Sequence, residues 1–294
     1  MTTEDDITRQ VLERLDGTPN PRTRQILKSL VAHLHAFVKD VALTEQEWFE
    51  GIQFLTATGQ KCDDTRQEFI LLSDTLGVSM VVDLLSNRKP AGATESTVFG
   101  PFHRDGAPEL SDGASMAAAD PRGVPAIISG RVLGIDGRPI AGALLDVWQA
   151  NSEGFYDSQL PTRETLQMRG KYRTGADGHF SVVTTRPVAY PIPTDGPVGD
   201  MLRATNRHAM RPAHVHFVVA ADGYEPVTTH IFDAGDPQLK KGDTVFGVKD
   251  SLVAVFTDHT ADEPAVAGGR AFGRPFVTAH FDFVLAPAAR GARA

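Results

Sequence analysis

The chain has 294 residues, 41% hydrophobic and 22% charged, with one cysteine and a formal net charge of -8. That length supports one large domain or two unequal ones with a full core, while the lone Cys62 excludes an internal disulfide framework and any cysteine-rich metal site. The negative balance, with no basic stripe, argues against a nucleic-acid partner, and no apolar run approaches the roughly 20 residues of a membrane span, so the reading is a soluble, cytoplasmic protein.

Apolar residues recur at helical spacing through the first third. Ile7, Val11 and Leu15 form a short stripe closed by Gly17. A longer one runs from Ile26 through Leu30, Leu34 and Phe37 to Val41. Thr44 with Glu47 reads as a capping box opening a helix that carries Trp48, Ile52 and Leu55. A fourth helix is predicted from near Asp64, carrying Phe69, Leu72 and Leu76 and stopping at Gly77; Val78 to Leu85 resume the pattern, which ends before Pro90. His33 and His35 stand two apart here, but on a helix such residues diverge, so they are expected to be surface or packing histidines.

From Pro90 the texture changes to a long Gly-, Pro- and Ser-rich connection containing VFGPF, which suits either a plain linker or a pocket wall. Short apolar segments with turn signals follow: Ile127 to Leu133, Ala143 to Trp148, Phe180 to Thr184, His214 to Ala220, Val227 to Phe232, Leu252 to Phe256, and Phe276 to Leu285. They predict an antiparallel β-sandwich. The fold class expected is therefore α+β, a helical domain over 1–90 and a β-sandwich over 91–294. No dinucleotide fingerprint, Walker loop or nucleophile elbow is present.

In RPAHVHF the two histidines, His214 and His216, lie two apart on a strand, so both imidazoles share a face and form half of a metal site. The competing reading is a pair of solvated strand histidines. The chain has four tyrosines, Tyr156, Tyr172, Tyr190 and Tyr224, each able to serve as a packing aromatic or, for two of them, to join the pair. Two phenolates with two imidazoles suit ferric iron better than zinc or ferrous iron. A cupin-type site would want Glu where Ala220 and Ala221 stand.

The runs NSEGFYDSQ, GKYRT, DGHFSV and RPVAYPIPTDGPVGDMLRATNRHAMRPAHVHFVVAADGYEPVTTHIFDAGD, spread over roughly Glu68 to Pro287, resemble the intradiol ring-cleaving dioxygenases, and within them the hydroxyquinol-cleaving branch. The resemblance implies a helical dimerisation domain ahead of a catalytic sandwich, a homodimer formed through the N-terminal helices, and a phospholipid able to occupy the helical interface. It implies Fe(III) as cofactor, with Tyr156, Tyr190, His214 and His216 as ligands. Tyr190 would also act catalytically, leaving the metal and accepting a substrate proton, and Arg211 would stabilise negative charge beside the ring.

Residues expected to meet the substrate are Asp83, Val98, Phe99, Gly100, Phe102, Ile192, Arg211 and His230. Asp83 would accept a hydrogen bond from the third hydroxyl of benzene-1,2,4-triol. His230 stands where catechol-cleaving members commonly carry Gln. The function implied is cleavage of hydroxyquinol between its vicinal hydroxyls by dioxygen, giving 3-hydroxy-cis,cis-muconate. Catechol or chlorocatechol cleavage is the alternative, and a non-catalytic β-sandwich binding module a more distant one.

Overall fold

The computed structural model describes residues 2–64, 66–118, 120, 122–161, 164–263 and 272–288. Helices form where the stripes predict them: α1 (Glu4–Arg14), α2 (Pro21–Asp40), α3 (Glu45–Gln60), α4 (Glu68–Thr75) and α5 (Val78–Ser86). The Thr44 capping box is made, its main-chain N–H donating to Glu47 Oε2 at 2.9 Å while Glu47 N–H donates to Thr44 Oγ1 at 3.3 Å. α4 starts later than expected because Asp63 Oδ1 instead accepts from the Arg66 N–H at 2.8 Å, closing a turn. Gly77, at φ +74°, then lets α5 leave α4 at 79°. No single helix among the described residues is long and apolar enough to cross a membrane.

By packing, the chain divides into Met1–Ala57 and Thr58–Ala294. Within the first unit α1 is tied to α2 by Lys39 with Asp5 at 2.7 Å and by Thr8 Oγ1 with His35 Nδ1 at 2.9 Å. His33 Nδ1 lies 2.7 Å from the Ser29 carbonyl one turn back in α2, so both helical histidines have local roles. Leu30, Leu34, Phe37 and Trp48 remain about half exposed in the single chain. A division at 90 follows the change of secondary structure; packing places α4 and α5 with the sandwich instead. Glu68 is fully buried and accepts from the Val198 N–H at 3.1 Å, and Met80 Sδ lies 3.7 Å from Thr97 Oγ1.

The strands are β1 (Pro125–Gly134), β2 (Leu144–Trp148), β3 (Arg169–Arg173), β4 (His179–Thr185), β5 (Tyr190–Pro191), β6 (Met210–Arg211), β7 (His214–Ala220), β8 (Val227–Asp233), β9 (Val253–Ala254), β10 (Phe256–His259), β11 (Phe276–His280) and β12 (Phe283–Leu285), with α6 (Pro197–Ala204) after β5. One sheet runs β10-β11-β1-β12 with β4 also on β1, and the other β3-β2-β7-β8-β9. Alternation points Ala126, Ile128 and Val132 of β1, Leu145 and Val147 of β2 and Val215, Phe217 and Val219 of β7 into one shared core. Phe217 and Phe283 meet there across the sheets, ring centres 4.9 Å apart, and burying each contributes about 1.5–3 kcal/mol.

Most pairings are antiparallel as expected; β1 with β11, β1 with β12 and β8 with β9 are parallel, which a period-two pattern cannot report. The expected strand Phe276 to Leu285 is two. It keeps one register along β1, Ala126 opposite Val277 and Val132 opposite Phe283, but the pairing is interrupted at Phe281 and Asp282. There a Cβ on Gly130 would lie 1.9 Å from the Phe281 carbonyl oxygen, so only glycine permits the approach. Leu252 to Phe256 is also not one strand, since the chain changes sheet between β9 and β10 at the exposed Val255.

The long connection is held without strands of its own. Thr94 N–H donates to Val284 O, Thr97 N–H to Thr228 O, and Met116 N–H to Val183 O, so its main chain is satisfied along the sheet edges.

Candidate metal centre and substrate cavity

Odd-numbered residues of β7 fill the core, so His214 and His216 are presented on the opposite face of the same sheet. Pairing sets their neighbours: Trp148 of β2 and His230 of β8 flank His216, and Phe232 lies opposite His214. Tyr190 is brought up by the two-residue pairing of β5 with β6, which sets it directly opposite Arg211. Tyr156 arrives from the loop after β2, its ring stacked on Phe102 at 4.4 Å.

The four expected ligand atoms converge. Tyr156 Oη lies 2.8 Å from His216 Nε2 and 3.0 Å from Tyr190 Oη. His214 Nε2 lies 3.3 Å from Tyr190 Oη and 3.2 Å from His216 Nε2. All four residues are buried. His214 Nδ1 is 2.7 Å from the Pro212 carbonyl, which assigns the proton to Nδ1 and leaves the Nε2 lone pair facing the cluster. Burial, then Arg211, depresses the His214 imidazole to about 3, and burial with the neighbouring histidines lowers His216, so both are neutral donors. Burial raises both phenols above their ordinary range. A multivalent cation at the convergence point reverses that cost by favouring the phenolates. Two hard oxygens and two imidazoles, already gathered and dry, fit a resident iron ion.

His230 is also buried here, stacked on His214 with centres 4.7 Å apart and edge-on to His216 at 4.1 Å. The three histidines offer nitrogen atoms within 4.8 Å of one another. The tighter set is the one with the two phenols, and His230 packs against two of its members. It is not among the residues walling the substrate cavity: β8 sets it beside His216 in the sheet, where burial, then His214 and Arg211, lower its pKa.

The cavity next to the four ligands is walled by Leu71 and Asp74 of α4, by Val98, Gly100, Pro101 and Phe102 of the connection, and by Tyr190, Ile192, Pro193, Arg211 and Val245. Val98, Gly100, Phe102, Ile192 and Arg211 are thus brought together as expected. Gly100 is at φ +78°, and a Cβ there would lie 3.2 Å from the His216 ring, so this turn requires glycine to bring the wall against the ligand. Phe99 turns away, packing on His103 and Trp148.

Asp83 is not in this cavity. The bend at Gly77 carries it into an adjoining cleft shared with Phe99, Val98 and Gly100. There its carboxylate accepts from Ser96 Oγ at 3.0 Å and Asn87 Nδ2 at 2.9 Å, beside Lys249 at 3.6 Å. Two carboxylates border this cavity: Glu68, already taken up by the Arg66 guanidinium and the Val198 N–H, and Asp74, which carries no motif in the sequence. Burial raises its pKa, against a hydrogen bond from Ser79 and the charge of Arg211.

Tyr156 is braced by its neighbour. Asp157 and Arg169, both fully buried, form a two-pronged ion pair in which Arg169 Nε donates to Asp157 Oδ2 at 2.7 Å, and the same guanidinium donates to the Phe102 carbonyl at 2.6 Å. Arg169→Met strands the Asp157 charge in the interior and is expected to cost about 3–5 kcal/mol. Urea unfolding measures this, and a loss below about 1 kcal/mol would show that Arg104, 3.5 Å away, takes over the pairing.

Comparison with known proteins agrees with this geometry. Residues 20–94 match the family model described as the catechol dioxygenase N terminus, and residues 98–287 the one described as dioxygenase. The chain is 53% identical over 254 residues to a 6-chlorohydroxyquinol 1,2-dioxygenase of Cupriavidus pinatubonensis, covering 86% of this chain and 91% of that protein. To a hydroxyquinol 1,2-dioxygenase of a Rhizobium species it is 47% identical, covering 94% and 93%. The crystal structure of a hydroxyquinol 1,2-dioxygenase from Pseudomonas putida superposes with a TM-score of 0.91 at 54% identity, covering 97% and 98%. The chain belongs to the intradiol ring-cleaving dioxygenases, a family of non-haem iron enzymes.

Proposed function

We propose that the protein cleaves hydroxyquinol, benzene-1,2,4-triol, between its vicinal hydroxyls, consuming one dioxygen and giving 3-hydroxy-cis,cis-muconate, the enol form of maleylacetate. The observation that carries this is a buried carboxylate, Asp74, in the wall of the cavity that Tyr190 and Arg211 close. A plain catechol leaves that carboxylate without a substrate partner, whereas a third ring hydroxyl can donate to it. The names of the relatives point the same way, and that of the Cupriavidus protein favours chlorinated hydroxyquinols as a second substrate group.

The residues that would hold the iron are Tyr156, Tyr190, His214 and His216, and two anionic phenolates favour its ferric state. When bound, the ion supplies Lewis acidity and a template that chelates the two vicinal oxygens. Tyr190, the phenol adjoining Arg211, accepts one of the diol's protons at Oη. Arg211 is fixed with NH1 3.5 Å from that oxygen and donates to negative charge developing on the substrate. Val98, Pro101, Phe102 and Ile192 supply an apolar wall that packs on the ring and excludes water. His230, stacked on His214 and edge-on to His216, keeps both ligand rings from tilting.

The half-exposed apolar faces of α2 and α3 suit a second copy of the chain, with an acyl chain of a phospholipid able to share the same apolar surface; a single-chain mass in sedimentation would contradict the dimer. The function is tested by the visible spectrum before and after anaerobic addition of hydroxyquinol or catechol. The expected result is a red-brown protein whose band shifts to longer wavelength at about 100-fold lower hydroxyquinol than catechol, the order of magnitude of a buried hydrogen bond left unmade. A protein that stays colourless after iron is supplied contradicts the ligand set. Equal responses to the two diols contradict the substrate.

A further inference from the structure

We infer that Asp243 is a positioning residue of the reaction, acting through Arg211 by setting the direction of its one remaining inward-facing N–H group; this rests on the ring-cleavage reading above. Arg211 sits on the two-residue β6, whose main chain places Cα opposite Tyr190 but leaves a long, flexible side chain to be aimed. Asp243, from the loop after the 3₁₀ turn Pro237–Lys241, takes two edges of the guanidinium. Nε donates to Oδ1 at 3.2 Å and NH2 to Oδ2 at 3.1 Å, both partners being at least 96% buried as side chains. That leaves NH1 directed at the centre, 3.2 Å from His214 Nε2 and 3.5 Å from Tyr190 Oη.

Asp243 is itself held rigidly. Its carboxylate accepts from the Val245 N–H at 3.2 Å and the Gly247 N–H at 3.1 Å. Gly247 packs tightly against this fork: a Cβ there would stand 3.1 Å from Asp243 Oδ2, 3.1 Å from Thr97 Oγ1 and 3.2 Å from Arg211 NH2, so any side chain would displace these groups by a few tenths of an ångström. Thr97, which precedes the cavity-wall residue Val98, donates to the Gly247 carbonyl at 2.7 Å. The loop, the cavity wall and the guanidinium therefore form one hydrogen-bonded assembly, in which Arg211 supplies the charged group beside Tyr190 while Val98 and Val245 contribute only apolar wall. A bidentate fork has no rotational slack, so the carboxylate decides where the free N–H points.

The test compares Asp243→Asn, Arg211→Met and the double variant, each loaded with iron. Asp243→Asn is expected to keep its iron stoichiometry and colour and to bind the diol anaerobically within about threefold of the unaltered protein. Its kcat is expected to fall about 10- to 100-fold, the scale for a misaimed group. The double variant is expected to turn over no more slowly than Arg211→Met alone. Gly247→Ala, which crowds the same fork without changing any charge, is expected to lose kcat in the same way and decides the matter if Asp243→Asn does not fold. Unchanged kcat, loss of iron, or losses that multiply in the double variant overturn the inference. Absence of turnover in the unaltered protein instead overturns the ring-cleavage reading, and this inference with it.

Discussion

Tyr156→Phe is expected to yield a folded, colourless protein with little iron and turnover at least about 100-fold below the unaltered protein. Changing groups that only support a metal ligand costs about 10- to 100-fold, so removing a direct ligand should cost more. The substitution takes away one oxygen, which lies 2.8 Å from His216 Nε2 and 3.0 Å from Tyr190 Oη. The ring remains, still stacked on Phe102 in a site that admits no water to speak of. The loss is therefore of a metal donor rather than of packing. Tyr172→Phe is the control: its hydroxyl donates to the Ala114 carbonyl at 3.0 Å in the sandwich core, so the change is expected to cost about 1 kcal/mol of stability and leave the iron in place. Iron analysis and the visible spectrum of the two variants check both. Retention of colour in Tyr156→Phe would remove this tyrosine from the ligand set.

Asp74→Ala is expected to collapse the preference for hydroxyquinol over catechol by about 100-fold in kcat/KM, equivalent to about 2.7 kcal/mol of differential transition-state stabilisation. The fall should be in hydroxyquinol, with catechol unchanged or improved. Catechol offers nothing to the carboxylate, whereas the triol loses an acceptor in a nearly dry wall, Asp74 being 6% exposed. Asp83→Ala should behave differently. Its carboxylate serves Ser96 and Asn87 in the adjoining cleft, so stability is expected to drop while the ratio of the two substrates holds. The two variants measured on both diols separate the candidates, and a ratio that moves with Asp83 rather than Asp74 would reverse the assignment made from the cavity wall.

The difference between these two aspartates shows where pattern reading stops. They lie nine residues apart on either side of the helix stop at Gly77, and nothing in the pattern says which of them reaches the cavity. The bend at Gly77 separates them, sending α5 off at 79° and its aspartate into another cleft. β3, charged and glycine-containing on the sheet edge, and α6, opened by Pro197 inside a turn-rich stretch, escaped for a related reason. Neither has enough apolar periodicity to register, although Tyr172 and Leu202 within them are buried by tertiary packing. Asp243 carries no local signal at all.

What the sequence alone determined was whatever repeats or binds locally. The helical stripes and the Thr44 cap, the alternation of the principal strands, and the two-residue spacing that puts His214 and His216 on one face all follow from main-chain periods of 3.6 and 2. The long motifs identified Tyr156 and Tyr190 as the other two ligand candidates. What only the tertiary structure decided was which distant side chains meet: the pairing of Tyr190 with Arg211, the grip of Asp243 on that arginine, Asp157 with Arg169 behind Tyr156, and Asp74 rather than Asp83 in the cavity wall. These contacts join residues from separate segments of the chain. Their geometry depends on sheet register, loop closure and the angle that a helix takes at a stop, none of which a main-chain period reports.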